Sequence, residues 1–486
     1  ISDAMAIPSS SPYTLILLAP PGKDLYIRDN YCSYTAKTNC YWTPLDLLVQ
    51  SGILRDQFST EVLDCLALGL DRRQAIDTIR KKKPTVILAL TGMVSWKEDE
   101  EFFRQLLQRS QGRRPALFVM GDVALTAGRE LMHQWEFLDG CLLDYTSRSL
   151  ADYLSAGTGP SKDLLLRGKE ESSNQSAPDP EEVSAKYFRY PVPDHRAFPL
   201  SRYRHPLVRS GRFATVISSL GCNMGCSFCV DSLIPLRLRQ TENLYEELVY
   251  LRTLGIRELY FYDPMFTSSK HRISEVCDVL EPMGFSWFCN AHVRMLDEET
   301  IRKMKAAGCH TVMVGFESGN DSTLQKYKGG RVSTSASRDA ARLLKKAGIS
   351  TLGYFMLGLP GETEKDILNT IDFSLALSID YASFNIYSPV AGTSLAAESL
   401  SGTQGATGDL WKQMDRTTGS GTMEGEPGQS ARDQLRRLAY RRFYLRPSCM
   451  LRQLASKRSP GSLLKMTSDF ARLARVNMTS RRGNTS

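Results

Sequence analysis

Residues Gly221–Val230 read GCNMGCSFCV and place Cys222, Cys226 and Cys229 in the order C-x3-C-x2-C. Three thiolates on one tight loop can each bind a different iron of a [4Fe–4S] cluster, and the missing fourth protein ligand leaves one iron open to a substrate or cosubstrate. A structural zinc site closes with four ligands, and no Cys or His follows this loop at finger-like spacing. The loop therefore favours an iron–sulfur site over a zinc finger, and a disulfide is weaker still.

Downstream of the loop, and starting just before it, the pattern is regular. Strands are expected at Phe213–Ser219, Glu258–Asp263, Ser286–Ala291, Thr311–Glu317, Thr351–Leu357 and Tyr381–Tyr387. Helices are expected between them at Leu244–Leu254, Ile273–Met283, Glu298–Ala307, Ser335–Ala347 and Glu364–Leu377. Leu244, Leu248 and Leu251 share one helix face, as do Ile367, Ile371 and Leu375. Thr363 and Asp366 form a capping-box-like start, and Gly255, Gly284, Gly308 and Gly348 stand where helices should stop. Successive βα units imply a partial (β/α)6 barrel, open rather than closed, with its site at the strand carboxyl ends. There the first strand feeds the cysteine loop, and the second, YFYDPMF, ends at Asp263. The third ends at Asn290–His292 and the fourth at Glu317-Ser318-Gly319; GLPGET (Gly358–Thr363) and SPVAGT (Ser388–Thr393) follow the fifth and sixth. Each has a structural reading as well: Asp263-Pro264 as a turn, Glu317 as a cap.

Upstream, the apolar runs Thr14–Ala19, Thr85–Leu90, Ala116–Met120 and Cys141–Leu143 alternate with helix-like Leu45–Leu54, Arg72–Lys82 and Glu98–Gln108. This reads as a Rossmann-like, doubly wound parallel sheet. Its ligand loops would be Pro20–Gly22, Thr91–Ser95 and Gly121–Leu125, past the strand carboxyl ends. The expected organisation is a front domain at 10–155, a linker and Pro-rich strap at 156–209, the barrel at 210–398, a loop or lid at 399–430 and a basic helical region at 431–486. Within the strap stretch, Ala156–Glu182 reads as linker.

The cysteine loop, with Phe228 just before its last cysteine, resembles that of radical S-adenosylmethionine (SAM) enzymes. The front sheet directly upstream narrows the resemblance to their cobalamin (B12)-binding class, on the PPG turn at Pro20–Gly22, WTPLDLLVQSGIL at Trp42–Leu54 and LTGMVS at Leu90–Ser95. The resemblance implies a [4Fe–4S] cluster on Cys222, Cys226 and Cys229, with SAM on the open iron. It places Asp263 and Glu317 near the SAM amine or ribose, and main chain at Gly358 and Tyr387–Pro389 near the adenine. It assigns Pro21, Thr91, Gly92, Ser95, Gly121 and Asp122 to cobalamin. No D-x-H-x-x-G loop occurs and His133 is the only His before the strap, so cobalamin is expected base-off with no protein His on cobalt. Cys32, Cys40, Tyr262, His292 and Arg294 are candidates to line the space between the two cofactors.

The implied chemistry is C-methylation of an unactivated carbon through a 5′-deoxyadenosyl radical and methylcobalamin. A flavodoxin- or ferredoxin-type electron donor and a small-molecule or lipid-like substrate go with it. A non-methylating cobalamin radical SAM enzyme, performing ring formation, ring contraction or carbon–carbon coupling, would share every motif. A methylthiotransferase would need a second cysteine triad in front, for which Cys32, Cys40 and Cys65 are poorly spaced; a non-enzymatic sensor would not need the ordered strand-end residues.

Bulk properties fit a reducing, cytoplasmic setting: 11 scattered cysteines, 42% hydrophobic residues, and no apolar run near the roughly 18 residues a membrane span needs. The net charge of +8 is concentrated late in the chain and is no nucleic-acid signature. From Ala431, arginines interleave with Leu435, Leu438, Tyr440 and Phe443. That pattern suits a helix packed on the barrel, or a surface for anionic lipid or an acidic redox partner.

Overall fold

The computed structural model describes residues 13–29, 31–36, 38–108, 114–169, 186–390, 392–400 and 426–447. The chain start, the middle of the expected linker, most of the expected lid and the tail beyond 447 lie outside the described residues.

The front domain runs β1 (Thr14–Ala19), a small hairpin of β2 (Tyr26–Ile27) and β3 (Tyr34–Thr35), α1 (Leu45–Arg55), β4 (Ser59–Asp64), α2 (Cys65–Leu68), α3 (Arg72–Lys82), β5 (Val86–Leu90), α4 (Trp96–Gln108), β6 (Ala116–Met120), α5 (Asp122–Gln134), β7 (Gly140–Leu142), α6 (Ser149–Ala156) and β8 (Leu164–Leu166). The sheet order is β4-β1-β5-β6-β7-β8, parallel except for the last pair. Alternate residues of β1 separate its two faces as a pleat requires. Ile16 and Leu18 pack with Ile76, Phe102 and Phe103 on one side. Leu15 and Leu17 face the other, in a core that continues without a break into the barrel.

Two strands of the front sheet escape the sequence reading. β4 (STEVLD) is an edge strand that exposes Ser59 and Glu61 and buries only Leu63 and Asp64, so it lacks the apolar run that marks its neighbours. β8 falls inside the stretch read as linker; it pairs antiparallel with β7 and belongs to the front sheet. The linker reading is corrected there, because three leucines among Gly, Ser and Lys are too short a run to stand out.

After β9 (Tyr187–Phe188), the strap crosses to the second sheet. Tyr41 and Arg204 exchange backbone hydrogen bonds of 2.7 Å, and the hydroxyls of Tyr41 and Tyr203 both donate to buried Asp64 at 3.0 Å. Trp42 packs against Tyr260 and Tyr262 of the barrel, with ring centroids 5.5 Å apart in each case. The strap's His195 bonds to buried Glu247 at 2.7 Å, and Glu247 pairs with buried Arg239.

The barrel is built from β10 (Ala214–Val216), β11 (Ser219–Leu220), β12 (Arg237–Arg239), α7 (Thr241–Thr253), β13 (Glu258–Phe261), α8 (Lys270–Met283), β14 (Ser286–Ala291), α9 (Glu298–Ala306), β15 (Cys309–Glu317), α10 (Asp321–Lys328), α11 (Thr334–Lys346), β16 (Ser350–Leu357), α12 (Glu364–Ala376), β17 (Tyr381–Ile386) and α13 (Ser394–Leu400). β10, β13, β14, β15, β16 and β17 form one parallel sheet in sequence order, open at both borders. Ser269 caps α8 and Gly284 ends it in the left-handed conformation that a side chain would resist. The capping box of Thr363 and Asp366 opens α12 with both bonds formed.

A last helix, α14 (Gln429–Tyr444), lies along β17 with Leu435, Ala439, Tyr440 and Phe443 buried. The Tyr444 hydroxyl donates to Ala382 O at 2.8 Å and accepts from Ala382 N at 3.1 Å, while the Tyr440 hydroxyl accepts from Phe384 N at 3.2 Å. Two tyrosines thus pair the main-chain groups that an edge strand leaves open. Tyr444→Phe is expected to lower stability by ~1 kcal/mol, read as a shift in the urea midpoint at unchanged slope.

Candidate cluster site at the barrel mouth

The cysteine loop leaves β11 through Gly221, where an added Cβ would stand 2.4 Å from the carbonyl oxygens of both Ile234 and Pro235. Only glycine allows that crossing. From there the loop is held by main chain. Cys222 N donates to Ile234 O at 3.3 Å, Ser227 N to Tyr327 O at 3.1 Å and Cys229 N to Cys226 O at 3.1 Å. Arg331 donates to Met224 O at 2.7 Å and Asn223 O at 3.1 Å, and Leu395 N of α13 donates to Ser227 O at 3.0 Å.

Cys222, Cys226 and Cys229 are half-buried free thiols on this loop. Burial pushes the Cys226 thiol up to about 11 and Cys229 further, the latter also through the neighbouring Asp231 charge. Iron binding has to expel those protons. Among the described residues, no three His, Cys, Asp or Glu side chains are grouped as ligands of a single metal ion. A cluster makes no such demand, since each thiolate takes its own iron. The free thiols and the preset loop fit a cluster.

Asp263 is fully buried, and its carboxylate is engaged within the chain. It accepts from Ser218 N at 2.7 Å, from Ser219 Oγ at 3.0 Å and from Ser218 Oγ. The expected strand-end acid is therefore used to fix the β10–β11 junction that feeds the loop. Glu317 behaves differently. It has a left-handed backbone (φ 63°), sits beside a register shift in the pairing of β15 with β16, and approaches the Lys328 ammonium at 3.5 Å. Lys328 and Glu317 both act electrostatically on Cys226, which places the pair at the cluster loop. A non-glycine residue held at positive φ stores strain, a common mark of a functional position.

The turn after β16 is organised by Glu362, which the sequence reading passed over as part of GLPGET. Its carboxylate oxygen accepts from Gly358 N and Leu359 N, each at 3.0 Å, and the other oxygen receives Ser318 Oγ at 3.4 Å. The amide N–H groups of Gly358 and Leu359 are thus already engaged. Next to them, Phe228 and Met356 pack on a buried cluster of Tyr327, Leu359, Tyr387 and Leu395. This gathers three of the expected site positions, Phe228, Gly358 and Tyr387, around one apolar floor.

Burial pushes the Glu362 carboxyl up from an ordinary 4.5 to about 7, against the pull of its two main-chain donors. An acid held above its unfolded value costs the fold nothing below pH 4.5, and the cost grows as pH rises to about 7, where the folded chain must surrender the proton. Glu362→Gln keeps an acceptor for both N–H groups and removes the titration. Between about pH 5 and about pH 8 its urea midpoint is expected to fall less than the wild type's.

The front-domain residues expected at the second cofactor do come together at the ends of β1, β5 and β6. Their polar groups, however, are engaged within the chain. Buried Arg28 donates to Asp99 at 2.6 Å, to Ser95 Oγ at 3.1 Å and to Pro21 O at 3.3 Å, and Thr91 Oγ1 donates to Asp99 at 3.1 Å. Asp122 accepts from Ser33 N at 2.6 Å and Met93 N at 2.8 Å. Gly92 lies under Ser33, and a Cβ on Gly121 would stand 1.9 Å from Thr91 O. The segment between β2 and β3 lies over part of this group: Arg28 holds Pro21 and Ser95, and Ser33 meets Gly92 and Asp122.

Beside that layer a small recess opens between the domains, lined by Arg28, Asp29, Tyr41, Trp42 and Asp46 of the front domain and Tyr262 of the barrel. Among the described residues, no histidine lines it. Burial raises the Asp29 carboxyl, opposed by a hydrogen bond from Tyr262. Of the five candidates for the space between cofactors, Tyr262 lines this recess. His292 is pushed down to about 3, first by burial and then by the Lys328, Arg294 and Arg331 charges, which places it on the cluster side. Cys32 and Cys40 are half-buried, whereas Cys65 is fully buried in the front-domain core, and among the described residues the three are not grouped as metal ligands.

Residues 216–374, the barrel with its cysteine loop, match the radical SAM superfamily model, so this part of the chain is a radical SAM domain. The two-domain arrangement is the fold of the cobalamin-binding radical SAM enzymes. The solved structure of TsrM from Kitasatospora setae, a radical SAM methyltransferase with cobalamin and [4Fe–4S] cluster bound, matches with a TM-score of 0.62 at 18% identity, covering 82% of this chain and 76% of that one. OxsB, a cobalamin-dependent SAM radical enzyme with aqua-cobalamin and SAM bound, matches with a TM-score of 0.59 at 15% identity, covering 86% and 57%. An uncharacterized methyltransferase of Pyrococcus horikoshii is 29% identical over 422 residues, covering 85% of this chain and 90% of that protein. Among the described residues no helix is long and apolar enough to cross a membrane.

Proposed function

We propose that the protein is a cobalamin-dependent radical SAM methyltransferase acting on an unactivated carbon of a small-molecule substrate. One observation carries this reading: Asp29 of the front domain bonds to Tyr262 of the barrel and acts electrostatically on Asp231, two residues past Cys229, so the front domain meets the barrel beside the cysteine loop. The likeness to a methyltransferase along most of both chains supports the choice of reaction.

Cys222, Cys226 and Cys229 would hold the cluster, and the apolar floor at Phe228, Leu359 and Tyr387 would take the SAM adenine. Glu317, kept at the mouth by Lys328, would meet the amino or ribose end. Asp263 acts through the loop rather than on SAM. When bound, the cluster and SAM supply a carbon-centred radical, and methylcobalamin supplies the methyl group. The chain's own work is to orient three partners and exclude water. Tyr41, Trp42 and Tyr262 would flank the cobalamin, whose base-off form is part of this proposal. Reduction between turnovers calls for a flavodoxin- or ferredoxin-type donor.

The helix α14 is accounted for by packing: its apolar face is buried, and Arg442 and Arg436 pair with Asp372 and Asp433. A peripheral lipid contact would have to use what remains of its basic side.

The test is anaerobic reconstitution with cluster and cobalamin, followed by optical and EPR spectra and turnover with methyl-labelled SAM. About one cobalamin per chain with no nitrogen coupling on cobalt(II), and label in product carbon, is the expected result. An intact cluster that cleaves SAM but binds no cobalamin would overturn the methyltransferase reading.

A further inference from the structure

The C-terminal segment reaches back into the barrel mouth at one point, the Gly358–Glu362 turn. Glu426 accepts from Gly361 N at 2.5 Å and pairs with Arg432 at 2.8 Å, and the two side chains are only 4% and 2% exposed. Arg432 lies directly on Gly358: a Cβ there would stand 2.9 Å from Arg432 Cδ and 3.0 Å from its Nε. Gly358 also has φ 73°, so the turn's conformation and the arginine's place exclude any side chain together. The turn's three donors are thereby shared between two carboxylates. Glu362, from the turn itself, takes Gly358 and Leu359; Glu426, from the tail, takes Gly361.

The other side of the mouth repeats the arrangement. Leu395 N of α13 holds the cysteine loop through Ser227 O. Beside the turn, Arg432 Nε is buried with no hydrogen-bond partner among the described residues. A charged donor left so costs free energy until an acceptor reaches it, and this one faces the turn next to the apolar floor.

We propose that Glu426 and Arg432 form a latch through which the C-terminal segment sets the Gly358–Glu362 turn for SAM, making them positioning residues of the SAM site. The proposal rests on the assignment of that turn to SAM made above. A buried ion pair is costly to assemble and gives little net stability, so its retention on a binding turn is explained by the geometry it fixes. Glu426 and Arg432 do not touch the reacting atoms. They decide how tightly the site grips its cosubstrate, and the tail becomes part of the site rather than an appendage to the fold.

The test uses the full chain with its reconstituted cluster, in wild type, Arg432→Ala and Glu426→Gln. Iron per chain, KM for SAM and kcat for reductive SAM cleavage are measured on each. The expected result is a KM raised roughly tenfold in both variants, with kcat at saturating SAM reduced less than about threefold and iron unchanged. KM within about twofold of wild type in both would overturn the latch while leaving the SAM reading intact. A wild-type chain that carries its cluster and neither binds nor cleaves SAM would overturn both. Should Arg432→Ala fail to fold, Glu426→Gln decides alone, because it keeps the packing of Arg432 and an acceptor for Gly361 N while removing the charge.

Discussion

Cys226→Ala is expected to give a folded chain that loses its cluster and forms no deoxyadenosine from SAM. The loop's shape does not depend on the thiol: it is set by Gly221, by main-chain bonds to Ile234 and Tyr327, and by Arg331. Cys226 is half-buried and outside the hydrophobic core, so removal of its sulfur leaves little void. Circular dichroism and the thermal midpoint should stay close to wild type. Two remaining thiolates hold a cluster poorly, and the open iron is lost with the rest, so activity should fall by more than about a thousandfold. Iron and sulfide analysis with chromatography of the SAM products reads both effects. Reductive cleavage that survives complete iron loss would sink the cluster assignment.

Asp263→Ala is expected to act on the same loop from beneath, with a different signature. The carboxylate serves one main-chain N–H and two serine hydroxyls in a site closed to solvent. Alanine leaves those donors without an acceptor and a cavity beside them, a loss of roughly 3 kcal/mol. The β10–β11 junction should loosen, and cluster loading should fall although all three cysteines remain. Asp263→Asn should be intermediate. Its carbonyl can keep the Ser218 N–H, and the serine hydroxyls can rotate to accept from the amide. Urea midpoints and iron content across the three proteins should therefore fall in the order wild type, Asn, Ala. Full iron loading in the alanine variant would show that the loop holds itself.

The barrel was legible because each βα unit leaves a double trace, an apolar run and a helix-period stripe, punctuated by residues such as Gly284. The cysteine loop was legible because its spacing is chemistry. Edge elements were not. β4 exposes Ser59 and Glu61 to solvent, and β8 is three leucines whose meaning comes from pairing with β7. At the site, strand-end residues could be located but not aimed. Asp263 stands where expected and faces inward to two serines, a choice made by the neighbouring strand. The six front-domain positions gather as their loops predict, yet the hairpin segment closes over part of them, because Asp122 bonds to Ser33, a residue 89 positions away in sequence. Arg432 was unreadable for the same reason. In an arginine-rich helix, nothing local distinguishes the one arginine that is buried against a glycine from those that face water.

The two tyrosines on β17 also bear on how the protein is made. Tyr444 meets Ala382 across 62 residues of chain, so the last border of the barrel cannot be finished until α14 has been synthesised and has folded back. Closing so long a loop is slow compared with pairing neighbouring strands, and translation delivers residues in order. For that interval the nascent barrel shows a bare row of peptide groups at residues 382 and 384, a template for strand addition by another unfinished chain. The tail helix is in this sense an internal chaperone for the border it later covers, and the yield of correctly assembled protein is set by how quickly two hydroxyl groups find their strand.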